Sequence, residues 1–120
     1  MAQLIHLPSF SDERGQLTVF EKVLPFDIKR IFYIHNGRGT RGGKKHLQAH
    51  QALISVCGSC TIQVGADAFA LNTPTTCLLL QPGDPHTMHS FSEDNVLLVL
   101  STEYYNPSEF VMMNPGGSHE

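Results

Sequence analysis

The stretch ALISVCGSCTIQV, residues 52–64, decides the fold class of this chain. Two runs rich in β-branched residues flank Gly58-Ser59, and this arrangement predicts two antiparallel strands joined by a tight turn. A redox CxxC pair opens a helix, and a zinc site needs a second CxxC that the sequence lacks. We therefore interpret Cys57 and Cys60 as small residues that flank the turn.

Further strand-like segments surround this hairpin at a spacing of roughly ten residues. Turn signals separate them, and no long segment has apolar residues at the 3.6-residue period of a helix. The pattern predicts an all-β sandwich or barrel, with one helix start at NPSEF, where Asn106 or Ser108 would be the cap. The predicted strands are GQLTVFEKV (15–23), KRIFYIHN (29–36), HQALISVC (50–57), CTIQVGA (60–66), TTCLLLQ (75–81), HTMHSFS (86–92) and NVLLVLST (95–102).

Length and charge exclude several classes of protein. A chain of 120 residues predicts one domain over residues 1–120, and we expect residues 114–120, NPGGSHE, to fray. The formal net charge of -3 offers no basic field for a nucleic acid. We expect no membrane partner and a cytoplasmic location, because the sequence has neither a membrane-length apolar run nor the pattern of a signal peptide.

The strand predicted near residues 96–100, VLLVL, is apolar at every position. Such a strand needs cover on both faces, and in a small β protein a second subunit can supply the outer cover. The sequence therefore predicts a homodimer.

Lys44 and His46 have the spacing of side chains on one face of a strand. The series Lys44-x-His46-x4-Gln51-x6-Gly58 resembles the first cupin motif, and QPGDPH, which ends at His86, resembles the second. Cupins are small jelly-roll barrels. Their metal is held by three imidazoles and a carboxylate, but Lys44 and Gln51 occupy two of the four positions here, so we expect neither a metal nor another cofactor.

Nearly the whole chain resembles the sugar nucleotide 3,4-ketoisomerases, which are metal-free cupins. The segments that carry this resemblance are ERGQLTVFE (13–21), LPFDIKRIFYI (24–34), RGGKKHLQAHQALISVCGSC (41–60), LNTPTTCLLLQP (71–82) and PHTMHSFSEDNVLLVLSTEYY (85–105). The resemblance implies a homodimer with an exchanged N-terminal strand and a dTDP-4-oxo-6-deoxyglucose substrate. It also implies the following substrate-binding residues: Arg30 and Arg41 near the diphosphate, Tyr33 on the pocket wall, Arg14 beside the sugar and Gln51 at the carboxylate position of the motif.

The reaction of this family moves a carbonyl between C4 and C3 of the hexose through an enediol or enediolate. It needs a proton acceptor that is neutral near pH 7, and histidine meets this demand. The resemblance implies His46 and His86 as catalytic residues and places Lys44 where the family has its first histidine.

Lys44 leaves three interpretations open. As a base it would need its pKa, ordinarily near 10.4, to fall by roughly three units, although it could instead carry a proton for His46 or His86. A neutral amine could form a Schiff base with the ketone. A permanent cation would leave a module that binds a sugar nucleotide without isomerising it. The relatives also end in an acidic, arginine-bearing helix over the pocket, whereas this chain reads NPSEFVMM without arginine, so the sequence does not predict closure by that route.

Overall fold

The computed structural model of the chain describes residues 2–113, so the predicted frayed tail at 114–120 lies outside the described residues. Within this range the chain forms twelve strands and one short 3₁₀ helix, η1. Their bounds are β1 Gln3–His6, β2 Ser9–Asp12, β3 Gly15–Thr18, β4 Arg30–His35, β5 Arg41–His46, β6 Gln51–Cys57, β7 Cys60–Val64, β8 Asp67–Leu71, β9 Thr76–Leu80, β10 Pro85–His89, β11 Val96–Ser101, η1 Pro107–Glu109 and β12 Phe110–Met112.

Two five-stranded antiparallel sheets and one isolated hairpin make up the architecture. The first sheet has the order β1-β9-β6-β11-β4, the second has the order β12-β5-β10-β7-β8, and β2 pairs with β3. The all-β prediction is confirmed, and the two-sheet arrangement is that of a jelly roll. No helix in residues 2–113 is long and apolar enough to cross a membrane.

The main core lies between the two sheets. Leu53 and Val99 are register partners in the first sheet, and Ile62 and Met88 are register partners in the second. All four side chains are buried and belong to one cluster. Because side chains alternate along each strand, these residues define the inner face of both sheets.

The outer face of the first sheet carries a second apolar cluster, and the chain itself covers part of it. Residues 19–28, between β3 and β4, pack Phe20, Leu24 and Phe26 against a buried group that includes Ile54 and Leu100. The apolar strand β11 is therefore covered on both faces within one subunit. From the sequence we had expected a second subunit to cover its outer face. We predicted a strand over residues 15–23, but β3 ends at Thr18 and residues 19–23 are not in a strand.

The hairpin predicted at residues 52–64 is confirmed. β6 ends at Cys57, β7 begins at Cys60, and Gly58 adopts the left-handed φ of 67° that this turn needs. Burial raises the pKa of the Cys60 thiol to about 11. Cys60 is therefore a protonated core residue at neutral pH.

A β-bulge in β5 decides which side chains face the interior. β5 begins at Arg41 and contains Gly42 and Gly43, whose φ angles are 85° and 76°. Arg41 is opposite Met88 and Lys44 is opposite His86, so β5 has one residue more than β10 between these two pairs. Because of this bulge, the side chains of Arg41 and Lys44 both point to the interior. Arg41 and Lys44 consequently face the same side although they are three residues apart.

The N-terminal strands lie at the edge of the molecule. β1 pairs with β9 of the same chain, with Gln3 opposite Leu79. The β2–β3 hairpin forms a sheet of its own, in which Phe10 and Leu17 are opposite each other and both 63% exposed. A two-stranded hairpin has little stability by itself in water.

Candidate active site

Lys44, His46 and His86 come together on two neighbouring strands of the second sheet. Lys44 and His46 share the inner face of β5, and His86 of β10 lies opposite Lys44 in the ladder. The rings of His46 and His86 are nearly parallel, with an interplanar angle of 15° and centroids 5.7 Å apart. The predicted grouping of one amine and two imidazoles is therefore present in the structure.

His86 is held in its neutral form. Its side chain is 4% exposed, and burial lowers its pKa from 6.5 to about 4, assisted by the charges of His46 and Lys44 and opposed by Asp84. Its Nδ1 atom is shielded from solvent and has no hydrogen-bond partner among residues 2–113. At neutral pH His86 thus offers an unprotonated imidazole in a low-dielectric environment.

The ammonium group of Lys44 lies under an aromatic ring. The residue is only 2% exposed, and Nζ is 4.4 Å from the ring centroid of Phe110. The π face of Phe110 is attractive for a cation and excludes water from it. Lys44 is therefore a buried group of the site, whereas its neighbour Lys45 alternates to the other face of the strand.

His46 is bonded to a carboxylate from the C-terminal segment. Nδ1 of His46 lies 2.7 Å from Oε1 of Glu109, which is itself buried. Oε2 of Glu109 accepts hydrogen bonds from the backbone amides of Gln48 at 3.0 Å and Ala49 at 2.8 Å. The carboxylate thus ties the imidazole to the loop that follows β5.

The C-terminal segment covers the mouth of the site, which the sequence did not predict. η1 starts after the cap Asn106, whose Oδ1 accepts a 3.0 Å hydrogen bond from the Ser108 amide, and β12 then pairs with β5. The space that remains at the mouth is about 10 Å³, roughly the room for one water molecule. The side chains around it come from Arg30, Lys44, His46, Ser101, Glu103, Tyr104, Tyr105, Asn106, Glu109 and Phe110.

The structure places Arg30 at this mouth. Its guanidinium carbon is 4.4 Å from the ring centroid of Phe32 and 5.3 Å from that of Tyr105. Stacking between two rings fixes the direction of the planar guanidinium. Arg30 therefore lies at the same mouth as Lys44 and His46.

Arg41 and Gln51 face the interior at other positions. Arg41 lies further along β5 opposite Met88, and its Nε atom is buried with no hydrogen-bond partner among residues 2–113. Gln51 is buried at the start of β6, in register with Ser101, which lines the mouth. Both residues share the inner face with the Lys44–His86 pair.

Two predicted substrate-binding residues do not join this group within one chain. Tyr33 is 61% exposed on the outer face of β4, with its ring centroid 5.6 Å from that of His35, so it is neither a pocket wall of this chain nor a core tyrosine. β4 alternates strictly, and the inward positions are taken by Phe32 and Ile34. Arg14 lies at the exposed β2–β3 turn and forms a 2.7 Å ion pair with Asp12.

The side chains of the site do not suit a metal ion. No group of three His, Cys, Asp or Glu residues within residues 2–113 is arranged to hold one. The ammonium of Lys44 is next to His86 in the ladder and would repel a cation there. The donor set that cupin metal sites use is thus broken at Lys44.

Sequence reasoning missed most residues at the mouth of this site, among them Tyr105, Glu109 and Phe110, which contact Arg30, His46 and Lys44. Their signal was weak, since NPSEF indicates a helix start but not where that helix docks. The pairing of Phe110 with His46 joins residues 64 positions apart in the chain. Long-range contacts of this kind are not encoded in local pattern.

Comparison with known proteins places these features in context. The WxcM-like, C-terminal protein family matches residues 1–114. The TDP-4-oxo-6-deoxy-α-D-glucose-3,4-oxoisomerase of Aneurinibacillus thermoaerophilus is 32% identical over 117 residues, which cover 91% of this chain and 84% of that protein. The similarity predicted from the sequence is confirmed.

Solved structures agree with this result. A 3,4-ketoisomerase from Helicobacter canadensis superposes with a TM-score of 0.89 at 32% identity, over 92% of this chain and 90% of the other. The sugar 3,4-ketoisomerase QdtA from Thermoanaerobacterium thermosaccharolyticum, solved in complex with TDP, has a TM-score of 0.89 at 36% identity, over 96% and 89% of the two chains.

Proposed function

Because the chain belongs to the WxcM-like family of sugar 3,4-ketoisomerases, we propose that it binds a dTDP-linked 4-oxo-6-deoxyhexose and interconverts its 4-keto and 3-keto forms. The reaction is a step in the synthesis of deoxysugars. One observation carries the proposal: a neutral, buried imidazole at His86 stacks on that of His46 beside the cation of Lys44. Proton transfer at carbon needs this combination of acceptor and charge.

The proton transfers balance as follows. One imidazole removes the proton on C3, the electron pair of that C–H bond forms the C3–C4 double bond, and the charge passes to the C4 oxygen. In the resulting enediolate the proton of the C3 hydroxyl is transferred to the C4 oxygen. The electron pair that it leaves forms the C3 carbonyl while C4 takes a proton from an imidazolium, which gives the 3-keto sugar. His46 and His86 are the proton carriers, and Lys44 donates a hydrogen bond to the oxygen that becomes negative.

The arginines would bind the charged part of the substrate. A guanidinium matches the paired oxygens of a diphosphate, and Arg30 is held in a fixed direction at the mouth. The unsatisfied Nε atom of Arg41 is a second donor on the inner face. Since the remaining space is about 10 Å³, the side chains of Tyr105 and Phe110 would have to move apart before a hexose could enter.

We extend the proposal to a homodimer in which the N-terminal strands are exchanged. Phe10 and Leu17 expose a cross-strand apolar pair on the hairpin, and Ile31 and Tyr33 are each 61% exposed on the outer face of β4. Burial of these groups against a second copy would stabilise both the hairpin and the sheet. In such a dimer Arg14 and Tyr33 would be available to the site of the partner.

Lys44 supports a second candidate function. Where the family pattern has its first histidine, this chain buries an ammonium under Phe110. If that group cannot exchange protons with His46 or His86, the protein is a module that binds a sugar nucleotide without isomerising it. This alternative predicts affinity for TDP without turnover.

Deuterium incorporation distinguishes the two functions. The protein is incubated with dTDP-4-oxo-6-deoxyglucose in deuterated water, and the sugar ring is examined by mass spectrometry and proton NMR. An isomerase places deuterium on C3 or C4 and produces the 3-keto form. Binding of TDP by calorimetry with no deuterium in the ring would establish the binding module.

A further inference from the structure

We infer that Glu109 is a positioning residue that fixes the tautomer of His46, with hydrogen on Nδ1 and a free electron pair on Nε2. This inference deepens the proposed function and rests on it for its catalytic meaning. Neither the cupin motifs nor the comparisons point to this residue, which reaches the site from the C-terminal segment.

The hydrogen bonds of the Glu109 carboxylate determine which nitrogen of His46 carries the hydrogen. Both oxygens of Glu109 are used: Oε2 accepts from the amides of Gln48 and Ala49, and Oε1 lies 2.7 Å from Nδ1 of His46. A carboxylate has no hydrogen to donate at neutral pH. The hydrogen in the contact with His46 therefore belongs to Nδ1.

The charge of Glu109 is maintained despite its burial. Burial by itself would raise the pKa of the carboxyl, but the amides of Gln48 and Ala49 and the ring of His46 outweigh it, and the pKa is lowered from its ordinary value of 4.5. The group is therefore ionised throughout the neutral range. An ionised acceptor selects the Nδ1–H tautomer more strongly than a neutral amide would.

The backbone holds the carboxylate in place. The amide of Leu47 donates a 2.7 Å hydrogen bond to the carbonyl of Glu109, and Phe110 pairs with His46 in the next register position. Glu109 is thus held at the end of η1 by backbone hydrogen bonds to the end of β5. A locked ring with Nε2 as acceptor is the form that a general base needs.

The contact between Glu109 and His46 is important because β5 contributes only one imidazole to the site. With Lys44 in place of the first histidine of the family pattern, His46 is the imidazole that β5 contributes to the site. Its readiness to accept a proton then depends on the carboxylate behind it. The same arrangement, a carboxylate that orients a histidine base, recurs on unrelated folds.

The tautomer can be measured directly in the wild-type protein. Two-bond ¹H–¹⁵N NMR spectra of the histidine rings at pH 7.5, assigned with a His46→Asn variant, report which nitrogen carries the hydrogen. The inference requires the Nδ1–H form at His46. A dominant Nε2–H form would overturn it whether or not the protein is an isomerase.

Variants connect the tautomer to turnover. Glu109→Gln keeps the size of the side chain but cannot accept the two amides and the ring together. We expect it to mix the tautomers of His46 and to lower kcat about 10- to 100-fold with KM within threefold, and Glu109→Asp to restore part of the loss. Glu93→Gln, an exposed loop position, is the charge-matched control. An unchanged kcat in Glu109→Gln would contradict the inference.

The outcomes separate this inference from the proposed function. If the wild-type protein shows no isomerisation while His46 is in the Nδ1–H form, the proposed function fails and the positioning by Glu109 stands. If the wild-type protein isomerises the sugar while His46 is in the Nε2–H form, the inference fails alone. Proper folding of each variant is checked by the dispersion of its backbone amide spectrum.

Discussion

Lys44 and His86 lie directly opposite each other in the ladder between β5 and β10, and both are buried. A cation and a neutral imidazole are thus held side by side in a place with little water. The positive charge of Lys44 helps to lower the pKa of His86 and so keeps this imidazole unprotonated at neutral pH. This relationship leads to tests of stability as well as of activity.

The pH dependence of stability should report the buried His86. Its pKa is about 4 in the folded protein and near 6.5 in the unfolded chain, so the unfolded state binds more protons between these values. Stability is then fully present above pH 6.5 and falls as the pH drops toward 4, by about 3 kcal/mol. Urea unfolding from pH 4 to 8 measures this loss, and a His86→Gln variant should show a clearly flatter profile. Equal slopes in the two proteins would contradict the assignment.

Replacement of Lys44 should separate activity from stability. Lys44→Met removes the charge but retains an unbranched side chain of similar length. We expect isomerisation to fall about 100-fold, because the developing oxyanion loses its donor. The change in stability should be small, because removing the desolvation cost of a buried charge offsets the loss of the contact with Phe110.

Lys45→Met is the matched control, since Lys45 lies on the other face of β5. Its turnover should remain within twofold of the wild-type value. A loss of several kcal/mol in Lys44→Met with turnover unchanged would make Lys44 a structural residue. Turnover and urea unfolding of the three proteins decide between these results.

The bulge at Gly42 should not tolerate a side chain. Its φ is 85°, and a Cβ atom there would lie 3.3 Å from the carbonyl oxygen of His86. Gly42→Ala should therefore cost about 2 kcal/mol and reduce turnover through the altered position of Lys44. Gly65→Ala is the control: its φ is 58° with no atom within 4 Å of the added carbon, so we expect about 1 kcal/mol. Equal losses in thermal unfolding would show that the close approach to His86 is unimportant.

The hairpin should control assembly. Phe10→Asp with Leu17→Asp places two charges on its exposed apolar face, and we expect this double variant to sediment as a monomer while the wild type sediments as a dimer. Ser11→Asp with Gln16→Asp changes the neighbouring register pair, which faces the other side, and should leave the dimer intact. A monomeric wild-type protein, or a dimeric apolar-face variant, would disprove the proposed interface.

Local pattern predicted much of the fold but not how its faces are covered. The turn at Gly58 and the strands around it follow from β-branched runs and a turn-forming pair, which are local signals. Residues 19–23 looked like the continuation of the strand predicted from Gly15, because the segment is rich in β-branched and aromatic residues. In the structure the same residues cover the outer face of the first sheet, and sequence alone does not distinguish these uses.

The residues of the site were predictable where strand alternation sets the direction of a side chain. They were not predictable where they come from a distant part of the sequence. The shared direction of Lys44 and His46 follows from period-two alternation. The inward direction of Arg41 depends on a bulge that shifts this period, and Glu109 reaches His46 across 63 positions of sequence. Tyr33 was predicted to line the pocket from the resemblance alone. The alternation of side chains along β4 instead directs it to the outer face.

The most direct test of the account is the rate at which deuterium enters the sugar ring in the histidine variants. His46→Asn and His86→Asn should each lower the rate at least about 100-fold while TDP affinity stays within a few-fold, and His50→Asn, outside the His46–His86 stack, should match the wild type. Wild-type rates of incorporation in either of the first two variants would contradict the assignment of proton transfer to this pair of rings.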